Sequence, residues 1–351
     1  MNFSLRAWID SLRVYWLDRP AQREKAASRF AMSGDTEKPL SSVLPSLRSQ
    51  IQQVSPEVEA MTSVYCMLGG ANNAGFVWHY GGLNGRQEWL TKLAPPVLLD
   101  RERFFLERVC QQASGAELVP RLISHGTLAD TSLAQLTTER LSPGKVTLGD
   151  ALRLYQKMGE LGNSVFGQPG AGAGTDYPPL NDGTPIRDMM VHWVKQPQSE
   201  SSRTFLRGFF DQLKQRCPEN IASIDEVQAK LLAFLQSAPP LDASAFGLIH
   251  GDFKPANILF DAQGQPKLID CQYFEYGLRQ WDLAFFLSKQ KKPLGHFMES
   301  VAQTLNWSEQ ERMWLAICYV LAVCLRLNKS NFDKQWKRYL FPALKCLKNT
   351  C

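Results

Sequence analysis

A short run of polar side chains, spaced inside otherwise apolar sequence, constrains this chain more than any other feature. It begins His250-Gly251-Asp252-Phe253-Lys254-Pro255-Ala256-Asn257 and ends Pro266-Lys267-Leu268-Ile269-Asp270. Ile258–Phe260 and Lys267–Ile269 read as short strands, and the loop between them includes Asp261-Ala262-Gln263-Gly264, so a hairpin is expected. That hairpin sets Asn257 and Asp270 side by side at one end. Their oxygens are hard donors of the kind Mg²⁺ prefers, and Mg²⁺ takes only a few from protein. Asp252 adds a carboxylate on a loop, and Lys254 a cation able to reach a phosphate. Alone, the stretch supports a metal and a carboxylate on a hairpin and nothing finer.

The rest of the composition narrows the class. At 351 residues, 44% hydrophobic and 21% charged, the chain has enough apolar sequence for a large core. A net charge of +5 fits an anionic ligand, but no Lys/Arg-dense block marks a nucleic-acid partner. Eight scattered cysteines form no C-x-x-C pair and no zinc spacing, which reads as free thiols in a reducing cytoplasm. No window approaches a transmembrane length, and the N-terminus has no signal-type apolar core.

Along the chain three regions are expected. In residues 1–55, Leu5, Trp8, Ile9, Leu12, Tyr15 and Trp16 form an apolar helical stripe ended by Pro20, expected to dock on the chain itself; peripheral membrane contact is the alternative. Residues 56–140 read as five strands with one helix after the third, a small antiparallel sheet region. The strands are Met61–Leu68, Phe76–Tyr80, Glu88–Leu93, Leu118–Gly126 and Ser132–Leu141, and Asp100 is expected to cap the helix. Residues 141–351 are expected to be mainly helical, apart from Gly247–Ile269 and a Gly/Pro-rich stretch at Gly167–Gly183.

The wording H-G-D-x-x-x-x-N followed by I-D resembles the kinase-like phosphotransferases that act on small molecules, such as aminoglycoside phosphotransferases and choline kinases. Leu268-Ile269-Asp270-Cys271-Gln272 and Asp282-Leu283-Ala284-Phe285-Phe286-Leu287 are most similar to the choline-kinase-like and ecdysteroid-kinase-like branch. The resemblance implies an α+β, bilobal protein-kinase-like fold, with a sheet lobe over a larger helical lobe. It implies ATP and Mg²⁺ as cofactors and a small-molecule hydroxyl as acceptor. Asp252 would be the catalytic base, Asn257 and Asp270 the Mg²⁺ ligands, with His250 bracing the loop and Asp282 anchoring it. Gly69, Gly70, Asn72 and Asn73 would cover the phosphates. Lys92 would pair with the α/β-phosphates, with Glu102 as its carboxylate partner and Glu107 as the rival. Glu139 and Leu141 fall where a hinge would present backbone groups to adenine.

Two departures from the family wording bear on the acceptor. Gly251 stands where protein kinases carry an Arg that reads a phosphorylated loop, although Asp252–Leu259 is very like a protein kinase's catalytic loop. Cys271 stands where an aromatic is usual. Tyr273, Glu275, Tyr276 and Trp281 offer aromatic faces and a carboxylate that would hold a cationic head group. A protein Ser/Thr kinase and a catalytically inactive nucleotide-binding scaffold are the alternatives; the set Lys92, Asp252, Asn257 and Asp270 argues against the scaffold.

Overall fold

The computed structural model describes residues 63–67, 75–81, 87–112, 114–127, 134–166, 178–179 and 184–348. The N-terminal helical stripe, the loop carrying Gly69, Gly70, Asn72 and Asn73, and nearly all of the Gly/Pro-rich stretch lie outside them. The described chain divides into two compact units.

The first unit holds the described residues up to Ser142, with Pro178, Pro179 and Phe260–Lys267. Its sheet is built from β1 (Ser63–Met67), β2 (Gly75–Gly81), β3 (Gln87–Ala94), β4 (Leu122–Thr127) and β5 (Ala134–Glu139). The order is β1-β2-β3-β5-β4 and every pairing is antiparallel. Helix α1 (Pro96–Cys110) follows β3 and turns Leu99, Phe105, Leu106 and Val109 inward. It starts at Pro96 rather than at Asp100, because Pro at the first helical position has its φ preset and gives up an N–H that would be unbonded anyway. The strand expected from Leu118 begins at Leu122. Ahead of it, Gly115–Glu117 make a 3₁₀ turn, and Leu118 and Val119 are fully buried as its anchors.

The second unit is mainly helical. Helix α2 (Leu148–Phe166) opens on a reciprocal cap, Thr147 N donating to Asp150 Oδ2 at 2.9 Å and Asp150 N to Thr147 Oγ1 at 3.2 Å. A short α3 (Pro185–Met189) runs into a π-helical turn at Met190–Val194. Helices α4 (Glu200–Arg216) and α5 (Ile221–Ser237) pack against each other. Along the chain then come β6 (Phe246–Ile249), β7 (Ile258–Phe260), β8 (Pro266–Leu268) and β9 (Glu275–Leu278), of which Phe260–Lys267 belong to the first unit. The expected hairpin is present as the pair β7–β8, and β6 pairs with β9.

Helix α6 (Gln280–Ser288) is buried at every position. A helix buried all round lies inside other elements, and α6 lies against α8 (Glu309–Cys324), whose residues from Trp314 to Cys324 are all buried. Trp281 and Trp314 are fully enclosed there. Helix α7 (Gly295–Leu305) precedes α8, and α8 starts on a Ser308/Glu311 capping box. The chain closes with α9 (Phe332–Gln335), a π-helical turn and α10 (Phe341–Lys348). No described helix is long and apolar enough to cross a membrane.

Candidate functional site

The loop from His250 to Asn257 leaves β6 under tight control. Asp282, in the first turn of α6, accepts both amides of the turn: His250 N at 2.7 Å on Oδ2 and Gly251 N at 2.9 Å on Oδ1. Trp281 Nε1 donates to Gly251 O at 2.9 Å. Burial pushes the Asp282 carboxyl up to about 6, and the two amides oppose that shift. His250 is fully buried; Nε2 donates to Ile269 O at 2.9 Å, and Nδ1 accepts from Asp252 N at 3.3 Å. His250 and Asp282 thus sit as bracing residues of the loop.

Gly251 has φ +82°, and a Cβ there would meet Tyr273 O at 2.4 Å and Met190 Sδ at 3.0 Å. An Arg at this position is excluded sterically and conformationally, whatever its charge would have done.

Asp252 is 3% exposed and its two oxygens differ. Oδ2 accepts from Lys254 Nζ and from Asn257 Nδ2, the latter at 3.0 Å. Oδ1 is buried with no hydrogen-bond partner. Asn257 Nδ2 also donates to Asp252 O at 3.0 Å. Both neighbours of that amide nitrogen are acceptors, which fixes the amide's orientation and leaves its Oδ1 to face away. Asn257 O receives Ile269 N at 3.0 Å, so the hairpin places Asp270 beside Asn257 in the chain's path. Asp270 is left-handed, at φ 62° and ψ 46°, a conformation tolerated by few non-glycine residues, Asp among them. An outward amide oxygen and a neighbouring carboxylate are a donor set suited to Mg²⁺.

In the first unit, Lys92 Nζ lies 2.6 Å from Glu102 Oε2, with side chains only 13% and 6% exposed. The rival, Glu107, instead pairs with His125 at 2.8 Å and Arg103 at 3.5 Å on the surface. Glu139 is engaged: its N donates to Arg121 O at 2.9 Å, and its Oε1 takes Arg121 N at 3.0 Å and Lys267 Nζ at 2.9 Å. Among the described residues the N–H of Leu141 makes no backbone bond, whereas Ser142 N is paired with Phe260 O.

The aromatic segment after Asp270 differs from the expectation. Pairing of β9 with β6 draws most of it into the core, with Trp281 0% exposed and Tyr273 5%, and Tyr276 half-buried. Glu275, at 2% exposed, holds Lys195 at 3.0 Å and accepts from Tyr276 N. This set is not an open aromatic box for a cation. Cys271 is likewise fully buried, which removes it from solvent chemistry. Iodoacetamide should leave Cys271 unmodified in the folded protein and alkylate it in guanidinium, with half-buried Cys110 reacting at an intermediate rate; peptide mapping by mass spectrometry reads the difference, and early alkylation of Cys271 would contradict the buried placement.

Two cations that sequence reasoning passed over lie at the end of α6, whose Phe286 ring packs on Phe253, the residue after Asp252, at 5.8 Å. Lys289 follows α6, and Arg326 follows α8; both are half-buried. Asp252 and Lys254 both act electrostatically on Lys289, and burial pulls its ammonium down to about 8. In the sequence, the only signal was a lysine just after the apolar run Leu283–Leu287.

Comparison with known proteins follows the same lines. Residues 69–314 match the model of the phosphotransferase enzyme family. No curated protein matches the chain. Among solved structures, a thermostable aminoglycoside phosphotransferase APH(4)-Ia, in ternary complex with ADP and hygromycin B, is 13% identical with a TM-score of 0.50, covering 87% of this chain and 98% of its own. A putative fructosamine-3-kinase from Haemophilus somnus is 14% identical at a TM-score of 0.48, covering 88% of this chain and 97% of its own. The first of these shows the fold, a small antiparallel sheet with a helical majority of the protein-kinase-like type. With a family match spanning well over half its length and a chain path to agree, this protein belongs to the phosphotransferase enzyme family.

Proposed function

We propose that this protein transfers the γ-phosphoryl group of ATP to a hydroxyl of a small molecule, with Asp252 as the base. The unequal carboxylate of Asp252 carries this reading. A buried oxygen with no donor is costly, and the deficit is met when a donor arrives from outside the chain. An acceptor hydroxyl is such a donor. As its oxygen attacks the γ-phosphorus and ADP leaves, its proton passes to Asp252 Oδ1. Oδ2 meanwhile stays fixed by Lys254 and Asn257, so the carboxylate is oriented before the acceptor binds.

Lys92, held by Glu102, is suited to the α/β-phosphates, and the Leu141 amide to adenine, while Gly69, Gly70, Asn72 and Asn73 would cover the phosphates. Glu139 would contribute only through its carbonyl. Asn257 Oδ1 and Asp270 would hold Mg²⁺, which neutralises phosphate charge when bound. A phosphotransferase crystallised with ADP and hygromycin B supports a nucleotide and a small-molecule acceptor by likeness. The same reading divides the chain into residues 1–55, 56–140 and 141–351, and Gly251 speaks against a phosphorylation-switched protein kinase.

Labelled ATP supplied with Mg²⁺, a panel of small alcohols and a panel of protein substrates tests the proposal. Transfer to a small hydroxyl is expected. Lys92→Met should lower kcat/KM for ATP by roughly 10- to 100-fold, the loss of a charge-assisted hydrogen bond of about 1.5–3 kcal/mol. Transfer to proteins alone would overturn the small-molecule assignment.

A further inference from the structure

The turn that follows α6 is held from outside by three side chains. Arg326 Nη2 donates to Ser288 O at 2.5 Å, and Tyr339 Oη to Gln290 O at 3.1 Å. Arg338 donates to Lys291 O through Nε at 2.9 Å and through Nη2 as well. With the carbonyls on either side of Lys289 captured, its backbone is fixed and its side chain lies over the Phe285 ring, Nζ 4.9 Å from the centroid. The arrangement brings Lys289 and Arg326 together.

Their charges are poorly compensated. Neither makes an ion pair among the described residues, and Arg326 Nε is buried without a hydrogen-bond partner. Burial, and then the nearby Arg326, disfavours the Lys289 ammonium; burial also lowers Arg326. Lys254 adds a third positive charge, and the one carboxylate that acts on Lys289, Asp252, already carries Lys254 and Asn257. The ring face of Phe285 offsets part of this, since the electron-rich face of an aromatic ring attracts a cation. Two like charges, half-buried beside a fixed backbone, one of them with an N–H that has no partner, form a receptor for an anion.

We infer that Lys289 and Arg326, with Lys254 close by, form an anion subsite beside Asp252, so that the phosphoryl acceptor carries a carboxylate or phosphate near its reacting hydroxyl. The acceptor class rests on the phosphotransferase reading; the anion subsite does not. It reverses the cationic head group that the aromatic segment suggested, because that segment is core and the open charges are positive.

Two measurements test it separately. The first is competitive acetylation of the full-length protein by acetic anhydride, with ADP and Mg²⁺ filling the nucleotide side and inorganic phosphate as probe. Lys289 should be protected saturably, by about fivefold or more at full occupancy, because a bound anion holds the ammonium protonated and unreactive. Arg326→Gln should abolish that protection. The second is phosphoryl transfer to hydroxy acids, phosphorylated polyols, neutral polyols and amino alcohols.

The anionic compounds should be the substrates, the hydroxy acids and phosphorylated polyols telling carboxylate from phosphate. Lys289→Gln should raise their KM about tenfold or more with kcat within a few fold, and Lys289→Arg should restore it, the mark of lost binding rather than lost chemistry. Unprotected Lys289, or preferred transfer to neutral or cationic alcohols, would overturn the subsite. Protection without transfer to any acceptor would uphold the subsite and count instead against the phosphotransferase reading.

Discussion

Asp252→Asn is expected to cut phosphoryl transfer by about 10²- to 10⁴-fold, the usual contribution of a positioned general base. Its effect on folding should go the other way. The substitution removes a charge from an oxygen that is buried and unbonded, while the amide oxygen can still receive Lys254 and Asn257. Lys254 is 32% exposed and can return to water. Stability should therefore hold steady or rise by about 1 kcal/mol, the exchange of stability against activity common at reactive groups. Labelled-ATP transfer and a thermal melt on one preparation give both numbers. A variant keeping more than about a tenth of the rate would move the base to another residue.

Gly251→Ala should be among the most destabilising single changes in the second unit. A left-handed φ costs an L-residue about 1–2 kcal/mol, and forcing a methyl into packed surroundings typically costs about 1–3 kcal/mol more. Here the methyl meets a carbonyl of the backbone, 2.4 Å away, which cannot rotate aside. A total of about 2–5 kcal/mol is expected. Gly264 provides the control, with φ +76° and nothing within 4 Å of its Cβ. Gly264→Ala should lose only the conformational part, about 1–2 kcal/mol. Urea midpoints at unchanged m compare the two; equal losses would mean that the turn at Tyr273 yields, and the close approach would lose its importance.

Much of this arrangement was legible before any coordinates. The hairpin bearing Asn257 and Asp270 followed from two apolar triplets around an Asp/Gly loop, and the sheet from alternation punctuated by glycine. Lys92 pairs with Glu102 because ten residues carry the chain from mid-strand into the first turns of α1. What sequence did not disclose depends on partners distant along the chain. Tyr273, Glu275 and Trp281 look like exposed recognition groups until β9 is seen to pair with β6. Lys289 and Arg326 are separated by a turn and two helices and share no motif. The start of α1 turns on a local competition, since Asp100 suits a cap but Pro95-Pro96 sets the helix going before it.

Helix α6 brings a further consequence. Its first turn grips both amides and one carbonyl of the His250–Gly251 turn, and every one of its nine residues is buried. Amides so enclosed exchange with solvent deuterium only when a whole cooperative unit opens. The His250 and Gly251 amides should thus exchange as slowly as those of α6 itself, putting this turn among the last parts of its unit to breathe. In the proposed reaction, the motion that admits an acceptor and releases ADP would then come from segments outside this frame, where turnover could be retuned without disturbing the carboxylate.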